Sequence, residues 1–315
     1  MTYCKHTYLW MALDPVHIGT GGYRLGRVDN SIAREPGTNL PKIPGTSLSG
    51  AARSYAAMRY EKPNCAGQGK HCGEKDCPIC YTFGSLVVKD EGKTKAYAGT
   101  INIFDAQILF FPVHSMAGPV WVTSLYRLGL HKTLKIDIPE LPSDKIALGS
   151  GIDAPEGHLN LGWLLLKSNG QTLELDGVPP EWADTTEWEA VKDRVVLVSD
   201  KLFGQIVNDN LEVRTSVSID PMTGAAEEGA LFTYEAMPRS TFLVGDLVQD
   251  DFRADDFQII DTTAKENKLA KVPWKKPLDV AGAGFEMIEY LGVGGMGTRG
   301  FGRMRIVGKP LEEAF

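Results

Sequence analysis

Apolar positions along this chain come in short runs broken by glycine and proline, and the period changes from run to run. His6 to Leu13 is an apolar strand candidate, followed by a loop with many glycines (Gly19, Gly21, Gly22, Gly26). Pro44-Gly-Thr-Ser opens a helix whose apolar stripe is Leu48, Ala52, Tyr55 and Ala56, with Thr46 or Ser47 as its cap. Thr100 to Pro112, rich in Ile and Phe, reads as a buried strand, and Val120 to Ser124 as another. The region 131–190 reads as mostly irregular. Val195 to Val198 is a short strand, and Asp200 is placed to cap a helix from Lys201 to Val207. Val213, Thr215, Val217 and Ile219 alternate as a strand does, Asp220-Pro-Met-Thr-Gly224 is turn chemistry, and Ala230 to Thr233 resumes a return strand. Residues 253–276 are polar and loop-like, Phe285, Ile288 and Leu291 fall at helical spacing, and Phe301 to Val307 reads as a last strand. Helices and strands mix without steady βαβ alternation and without an internal repeat, which predicts an α+β fold.

Between that last helix and strand lies Gly292-Val-Gly-Gly-Met-Gly-Thr-Arg-Gly-Phe-Gly-Arg-Met-Arg305. As a string it contains the dinucleotide fingerprint, but that motif follows a strand and opens a helix, and the order here is reversed. Glycines let backbone N–H groups approach an anion, and Arg299 adds a forked donor suited to phosphate. The loop therefore reads as a contact for a polyanion backbone through Gly294, Gly295, Gly297 and Arg299, or else as a tight helix-to-strand connection.

The composition is that of a soluble globular protein, 43% hydrophobic and 23% charged over 315 residues. The net charge of −7 argues against a generic basic nucleic-acid coat, yet residues 24–62 hold Arg24, Arg27, Arg34, Lys42, Arg53, Arg59 and Lys62 against three acids. No apolar run approaches the roughly 20 residues of a membrane span, and the amino terminus lacks a signal-peptide pattern. No membrane contact and a cytoplasmic location are the expectations.

Four of the five cysteines, Cys65, Cys72, Cys77 and Cys80, fall together, ending in the knuckle Cys77-Pro-Ile-Cys80. In a reducing compartment such a cluster points to a structural zinc site rather than to disulfides, with His71 as an alternative fourth ligand. Four protein ligands leave no open position for a substrate. Asp29, in Arg27-Val-Asp-Asn30, is a carboxylate among arginines that can bind a metal or act on a ribose hydroxyl, or simply form an Asx turn. His17, between Val16 and Ile18, reads more as a packed histidine than as a catalyst. A nucleophile elbow and a P-loop are both absent.

Six pieces in order carry a resemblance: His17-Ile-Gly-Thr-Gly, Ile43-Pro-Gly-Thr-Ser-Leu-Ser-Gly-Ala-Ala-Arg53, Phe83-Gly84, Phe110 to Thr123, Glu227-Glu-Gly-Ala-Leu-Phe-Thr233 and the glycine loop. Together they resemble the RAMP superfamily of CRISPR proteins, specifically the backbone subunit of type III effector complexes. The Cmr branch is most similar and the Csm backbone subunit a close second. The resemblance implies one domain over residues 1–315: a modified RRM (ferredoxin-like) palm with a zinc-binding insertion at 61–82 and a protruding thumb hairpin at 210–232. It implies copies stacked head-to-tail on a guide crRNA beside other complex subunits. Complementary target RNA would be cut at regular intervals by an aspartate, here Asp29, with a divalent metal such as Mg. It places Arg24, Arg27, Thr46, Ser47, Ser49, Arg53, Arg214, Met222, Gly294, Gly295, Gly297 and Arg299 against RNA. Where the family often has Lys, this chain has Ser49, which supplies no charge. The competing expectations are an architectural guide-binding subunit without catalysis and a metal-independent repeat-RNA processing nuclease of the same superfamily.

Overall fold

The computed structural model describes residues 3–21, 28–67, 71, 72, 74, 77–88, 94–129, 141–175, 177–250 and 276–315. One twelve-stranded sheet runs through them. Its first half is antiparallel: Tyr3–Ala12 lies between Phe242–Asp250 on one side and two short carboxyl-terminal strands, Met304–Ile306 and Leu311–Ala314, on the other. Phe242–Asp250 pairs in turn with Ala106–Ser115, which pairs with Gly118–Ser124. Beyond these the sheet turns mixed. Val195–Val198 runs parallel to Gly118–Ser124 and antiparallel to Lys145–Gly149, which Leu164–Leu173 joins in parallel, with His158–Leu161 at the edge.

The continuous apolar runs have a direct cause: this sheet is covered on both faces. Along the first strand, Tyr8, Trp10 and Ala12 enter one core, and Leu9 and Met11 enter the other. Val196 and Val198 against Val195 and Leu197, and Phe111 against Phe110, divide the same way. Two long helices, Gly45–Arg59 and Pro277–Leu291, cover the first face. The Phe285 ring packs edge-to-face with Tyr8 and Trp10, with ring centroids 5.3 Å and 5.0 Å apart. These helices pack closely because Gly284 has no side chain: a Cβ there would stand 2.1 Å from the Ala52 carbonyl oxygen. On the other face Trp182 and Trp188, from two single-turn helices, fill the core.

Several expectations change. The helix at 45–59 is not capped by Thr46 or Ser47: its N-cap is Pro44. Instead the Asp105 carboxylate, from the sheet, accepts the Gly45 N–H at 2.8 Å and the Lys42 ammonium at 2.6 Å. The run from Thr100 is two strands, Ile101–Ile103 and Ala106–Ser115, broken at Phe104 and Asp105. The described part of region 131–190 is not mostly irregular: it holds three strands, Lys145–Gly149, His158–Leu161 and Leu164–Leu173, the last largely exposed and so weakly patterned. Asp200 begins its helix (Asp200–Asp209) rather than capping it, and accepts the Tyr126 N–H. Leu291 is exposed, and Met304–Ile306 is not the last strand, because Leu311–Ala314 follows. The polar stretch 253–276 lies outside the described residues but for Lys276.

Candidate functional site

Strands Glu212–Ile219 and Ala226–Ala236 form an antiparallel hairpin that stands apart from the main sheet. Asp220 closes its turn by accepting from Met222 N–H and the Thr223 hydroxyl, and Met222 at the tip is 90% exposed. The base of the hairpin meets the segment carrying Asp29 and the glycine loop. Asn30 bridges to Tyr234 in parallel, extending the hairpin by one short step.

Asp29 is exposed and fastened to the hairpin. Its Oδ2 accepts the Thr233 N–H at 2.7 Å and the Thr233 hydroxyl at 2.9 Å, and that hydroxyl accepts the Asp29 N–H at 3.1 Å. These donors, the backbone N–H first, hold its carboxyl below the ordinary carboxylate value, so Asp29 is an anion at neutral pH. Oδ1 makes no hydrogen bond with the described residues. His17, only 5% exposed, is packed behind. Its Nδ1 donates to the Glu235 carbonyl at 2.7 Å, since a carbonyl can only accept, and its own carbonyl accepts the Gly295 N–H at 2.9 Å. Arg24 and Arg27 lie outside the described residues.

The glycine loop is locked against that histidine. A Cβ on Gly294, whose φ is +87°, would stand 2.4 Å from Ile18 and 2.5 Å from the His17 carbonyl oxygen. Gly302 N–H donates to Pro15 O and Val293 N–H to Gly302 O. The amide of Gly295 is therefore spent inside the protein rather than offered to a phosphate, a correction to the sequence expectation. The exposed arc is Gly297 to Gly300. There the Arg299 guanidinium lies 5.6 Å from the Phe232 ring centroid. Phe232, Tyr234 and Phe301 follow in contact, and Arg214 stacks over Phe301 at 4.7 Å while pairing with Glu212. Aromatic rings with guanidinium groups laid on them present flat faces and forked donors together.

The described cations of the basic segment, from Arg34 to Lys62, behave otherwise. Arg34 pairs with Glu235, Lys42 with Glu35 and Asp105, Arg59 with Glu286, and Lys62 with Glu74. Arg303 and Arg305 are likewise taken by Asp14, Glu187 and Glu289. Thr46 is exposed, Ser47 and Ser49 are half-buried, and the helix N-terminus beside them already holds the Asp105 carboxylate.

Arg53 does not face outward with them. Its Nε donates to Cys65 O at 2.7 Å, and Nη1 reaches Phe83 O at 3.4 Å. Burial lowers its pKa, and the four neighbouring cysteine sulfurs oppose that. Those sulfurs converge. Cys65 Sγ lies 3.4 Å from Cys72, 3.8 Å from Cys77 and 3.7 Å from Cys80, and Cys72 lies 3.7 Å from Cys80. A tetrahedron with metal–sulfur bonds of about 2.3 Å has edges of about 3.8 Å, so the cluster can hold a metal such as zinc. No disulfide joins them. Burial pushes the Cys72 thiol up to about 12, and contact with Cys80 together with burial pushes Cys77 higher, so thiolates here call for a cation. His71 is not among the ligands: Leu86 N–H donates to its Nδ1 at 2.9 Å, which leaves Nε2 to donate to Gly67 O at 2.6 Å.

Sequence reasoning missed Thr233, Glu235 and Arg34. Thr233 closes a run read as a strand and a resemblance motif, Glu235 lies beyond both, and Arg34 was counted merely as charge.

The profile of the RAMP superfamily matches residues 11–305. The chain is 29% identical over 315 aligned residues, 95% of this chain and 94% of the relative, to the CRISPR system Cmr endoribonuclease Cmr4 of Pyrococcus furiosus. A shorter match, 40% over 72 residues, reaches the Cms endoribonuclease Csm3 of Methanothermobacter thermautotrophicus, covering 22% of this chain and 28% of that one. Among solved structures, oligomeric Cmr4 from Pyrococcus furiosus superposes with a TM-score of 0.58 at 24% identity, covering 98% of both chains. A chain of type III-B Cmr-beta bound to cognate target RNA superposes with a TM-score of 0.62 at 16% identity, covering 96% and 97%. The structural matches establish a shared α+β fold. Among the described residues no helix is long and apolar enough to cross a membrane.

Proposed function

Because the chain belongs to the RAMP superfamily, we propose that it is the repeated backbone subunit of a type III CRISPR effector complex, binding crRNA and cutting complementary target RNA. The observation that carries this reading is the Asp29 carboxylate, exposed, ionised and fastened by Thr233 at the base of an exposed hairpin. The whole-length likeness to an endoribonuclease supports it. In this reading the chain is one RAMP domain with a modified RRM palm, the hairpin is the thumb, and Met222 at its tip wedges between bases of the guide–target duplex. Unstacking costs a few kcal/mol, which contacts along the hairpin offset. Copies associate head-to-tail, a contact that does not close on itself and so extends along the guide.

A carboxylate held below its ordinary pKa is a weak base but a good anchor for a hydroxyl or a cation. Asp29 Oδ1 accepts the attacking ribose 2′-hydroxyl and sets its oxygen in line with the neighbouring phosphorus. The new O2′–P bond forms as the P–O5′ bond breaks; the 2′-hydroxyl proton passes by way of Asp29 Oδ1 to solvent, and the leaving O5′ takes a proton from solvent. Arg299 and Arg214 hold phosphates or stack on bases through the aromatic array. One carboxylate alone is no closed cation cage, but a Mg ion is commonly held by one or two carboxylates plus phosphates. Such an ion, bound to Oδ1 with the RNA, would supply charge stabilisation at the phosphate oxygens. In the cysteine cluster the four sulfurs would hold structural zinc, and Arg53 would offset its negative charge.

The Thr233 bonds also favour a second reading, in which Asp29 only fastens its loop and the subunit is architectural. Asp29→Ala in a reconstituted complex separates the two. Cleavage of target RNA should fall at least about 100-fold, in the range of a lost catalytic group, with guide and target affinities within twofold. Cutting at the wild-type rate would leave the architectural reading.

A further inference from the structure

On the second hairpin strand, Thr233 and Glu235 are alternate residues, so their side chains emerge on one face. Thr233 holds Asp29. Glu235, only 6% exposed, holds the chain just beyond it. Its Oε1 accepts the Ile32 N–H at 3.0 Å, and both carboxylate oxygens accept from Arg34 Nη2 at 2.9 Å. Its N–H donates to Asn30 O, and its carbonyl accepts from His17. Arg34 extends the clamp to Asn39 O at 3.1 Å and to the side chain of Asn208 on the helix Asp200–Asp209. Asn208 is itself fixed by donating to Gly204 O at 2.9 Å. Three chain segments thus meet at the Glu235–Arg34 pair: the Asp29 segment, the hairpin strand and, through Arg34, that helix.

We propose that Glu235 is a positioning residue for cleavage: through Arg34 and the Ile32 amide it sets the Asp29 segment against the hairpin, so that the Asp29 carboxylate points at RNA in one fixed orientation. The proposal rests on the reading of Asp29 as the cleaving carboxylate. A buried ion pair is a poor source of net stability, because desolvation offsets most of the attraction. What it supplies is direction. A single Arg34 nitrogen, Nη2, bridges both Glu235 oxygens while Nη1 holds Asn39 and Asn208, and the backbone bonds at Asn30 keep the segment in register with the strand. Thr233 alone would hold Asp29 by one residue on an exposed edge. Glu235 holds the same segment from the buried side, and the same residue's carbonyl orients His17.

The test uses Glu235→Ala, Glu235→Gln and Asp29→Ala in the assembled, guide-loaded complex, and amide exchange on the isolated chain. Misplacement by a fraction of an ångström to 1 Å predicts that single-turnover cleavage by Glu235→Ala falls about tenfold to hundredfold. Target affinity should stay within twofold. Gln keeps one oxygen that can accept from the Ile32 N–H or from Arg34 but loses the charge and the second acceptor, so Glu235→Gln should lose only severalfold. In Glu235→Ala the amides of residues 30–34 should exchange at least about tenfold faster while those of Tyr3–Ala12 do not change, a local opening rather than a global one. Unchanged exchange at 30–34 would overturn the clamp. Faster exchange with wild-type cleavage would overturn the positioning role. If Glu235→Ala does not fold, Glu235→Gln decides on the same two readouts, with a loss of severalfold expected and no change overturning the proposal. Wild-type cutting by Asp29→Ala would instead remove the catalytic reading, and the exchange result would then judge the clamp alone.

Discussion

Arg53 and Arg299 look alike in the sequence: each is an arginine beside glycine and small polar residues in a segment suited to phosphate. In the fold they do opposite things. Arg53 turns inward from its helix to two backbone carbonyls beside the four cysteine sulfurs, with its Nη2 buried and unpaired. Arg299 stands on an exposed turn, makes no ion pair with a described residue, and lies on the Phe232 ring. The difference is one of partners. The helix Gly45–Arg59 is covered by Pro277–Leu291 and by the cysteine segment, so its cations meet Glu286 and carbonyls before they meet solvent. The glycine loop is held on its inner side by Pro15 and His17, which leaves its outer side and its arginine free for a ligand. A local excess of positive charge therefore says little about where a polyanion sits until the acids from distant segments are in place.

The largest test of that contrast acts on the cysteine cluster. Cys77→Ser, or a chelator on wild type, should remove the metal and lower the unfolding midpoint by about 5 °C or more, consistent with loss of 2 kcal/mol or more in a chain of this size. Elemental analysis beside calorimetry checks both parts. Metal-free protein with an unshifted midpoint would remove the structural-metal reading of the cluster.

The helix pair comes next. Gly284→Ala forces a methyl group against the Ala52 carbonyl and should cost about 1–3 kcal/mol. Denaturant unfolding would measure it. RNA affinity at saturating stability should not move, because Gly284 and Ala52 are buried between the helices.

Salt dependence addresses the two arginines directly. Arg299→Ala should lower the slope of log affinity against log salt by about one, as expected for one lost phosphate contact. Arg53→Ala should leave the slope as it is and weaken metal retention instead. Equal slopes for both variants would erase the distinction, and a lowered slope for Arg53→Ala would reverse it.

The smallest effect concerns acid. Asp29 is held below the ordinary carboxylate value by Thr233, so the ionised form persists as pH falls through the usual range and is lost only below it. Thr233→Val removes the hydroxyl donor and keeps the backbone one. The acid limb of the cleavage profile should then move upward, toward the ordinary aspartate value. An unmoved limb would assign that limb to another group.

Periodicity was enough to place the helix at Leu48–Ala56, the strands at His6–Leu13 and Val195–Val198, and the alternation that becomes the hairpin, because each depends on neighbours within a few residues. The cysteine spacing likewise announced a cluster, since four such side chains within sixteen positions seldom scatter. What local pattern could not carry was pairing between distant segments. Asp105 rather than Thr46 holds the helix N-terminus, because it arrives across the sheet with the right direction. Leu164–Leu173 escaped notice because its positions are mostly exposed or half-exposed near the edge of the sheet, and Lys145–Gly149 because a largely buried run of five residues has no alternation to read. His71 was settled by Leu86, Arg53 by the cysteines, and Asp29 by Thr233, 204 residues away. The sequence determined which elements form and which chemistries the chain carries. Tertiary structure alone decided which charges are neutralised inside and which face a ligand, because electrostatic and hydrogen-bond partners are chosen by distance in space, not by distance along the chain.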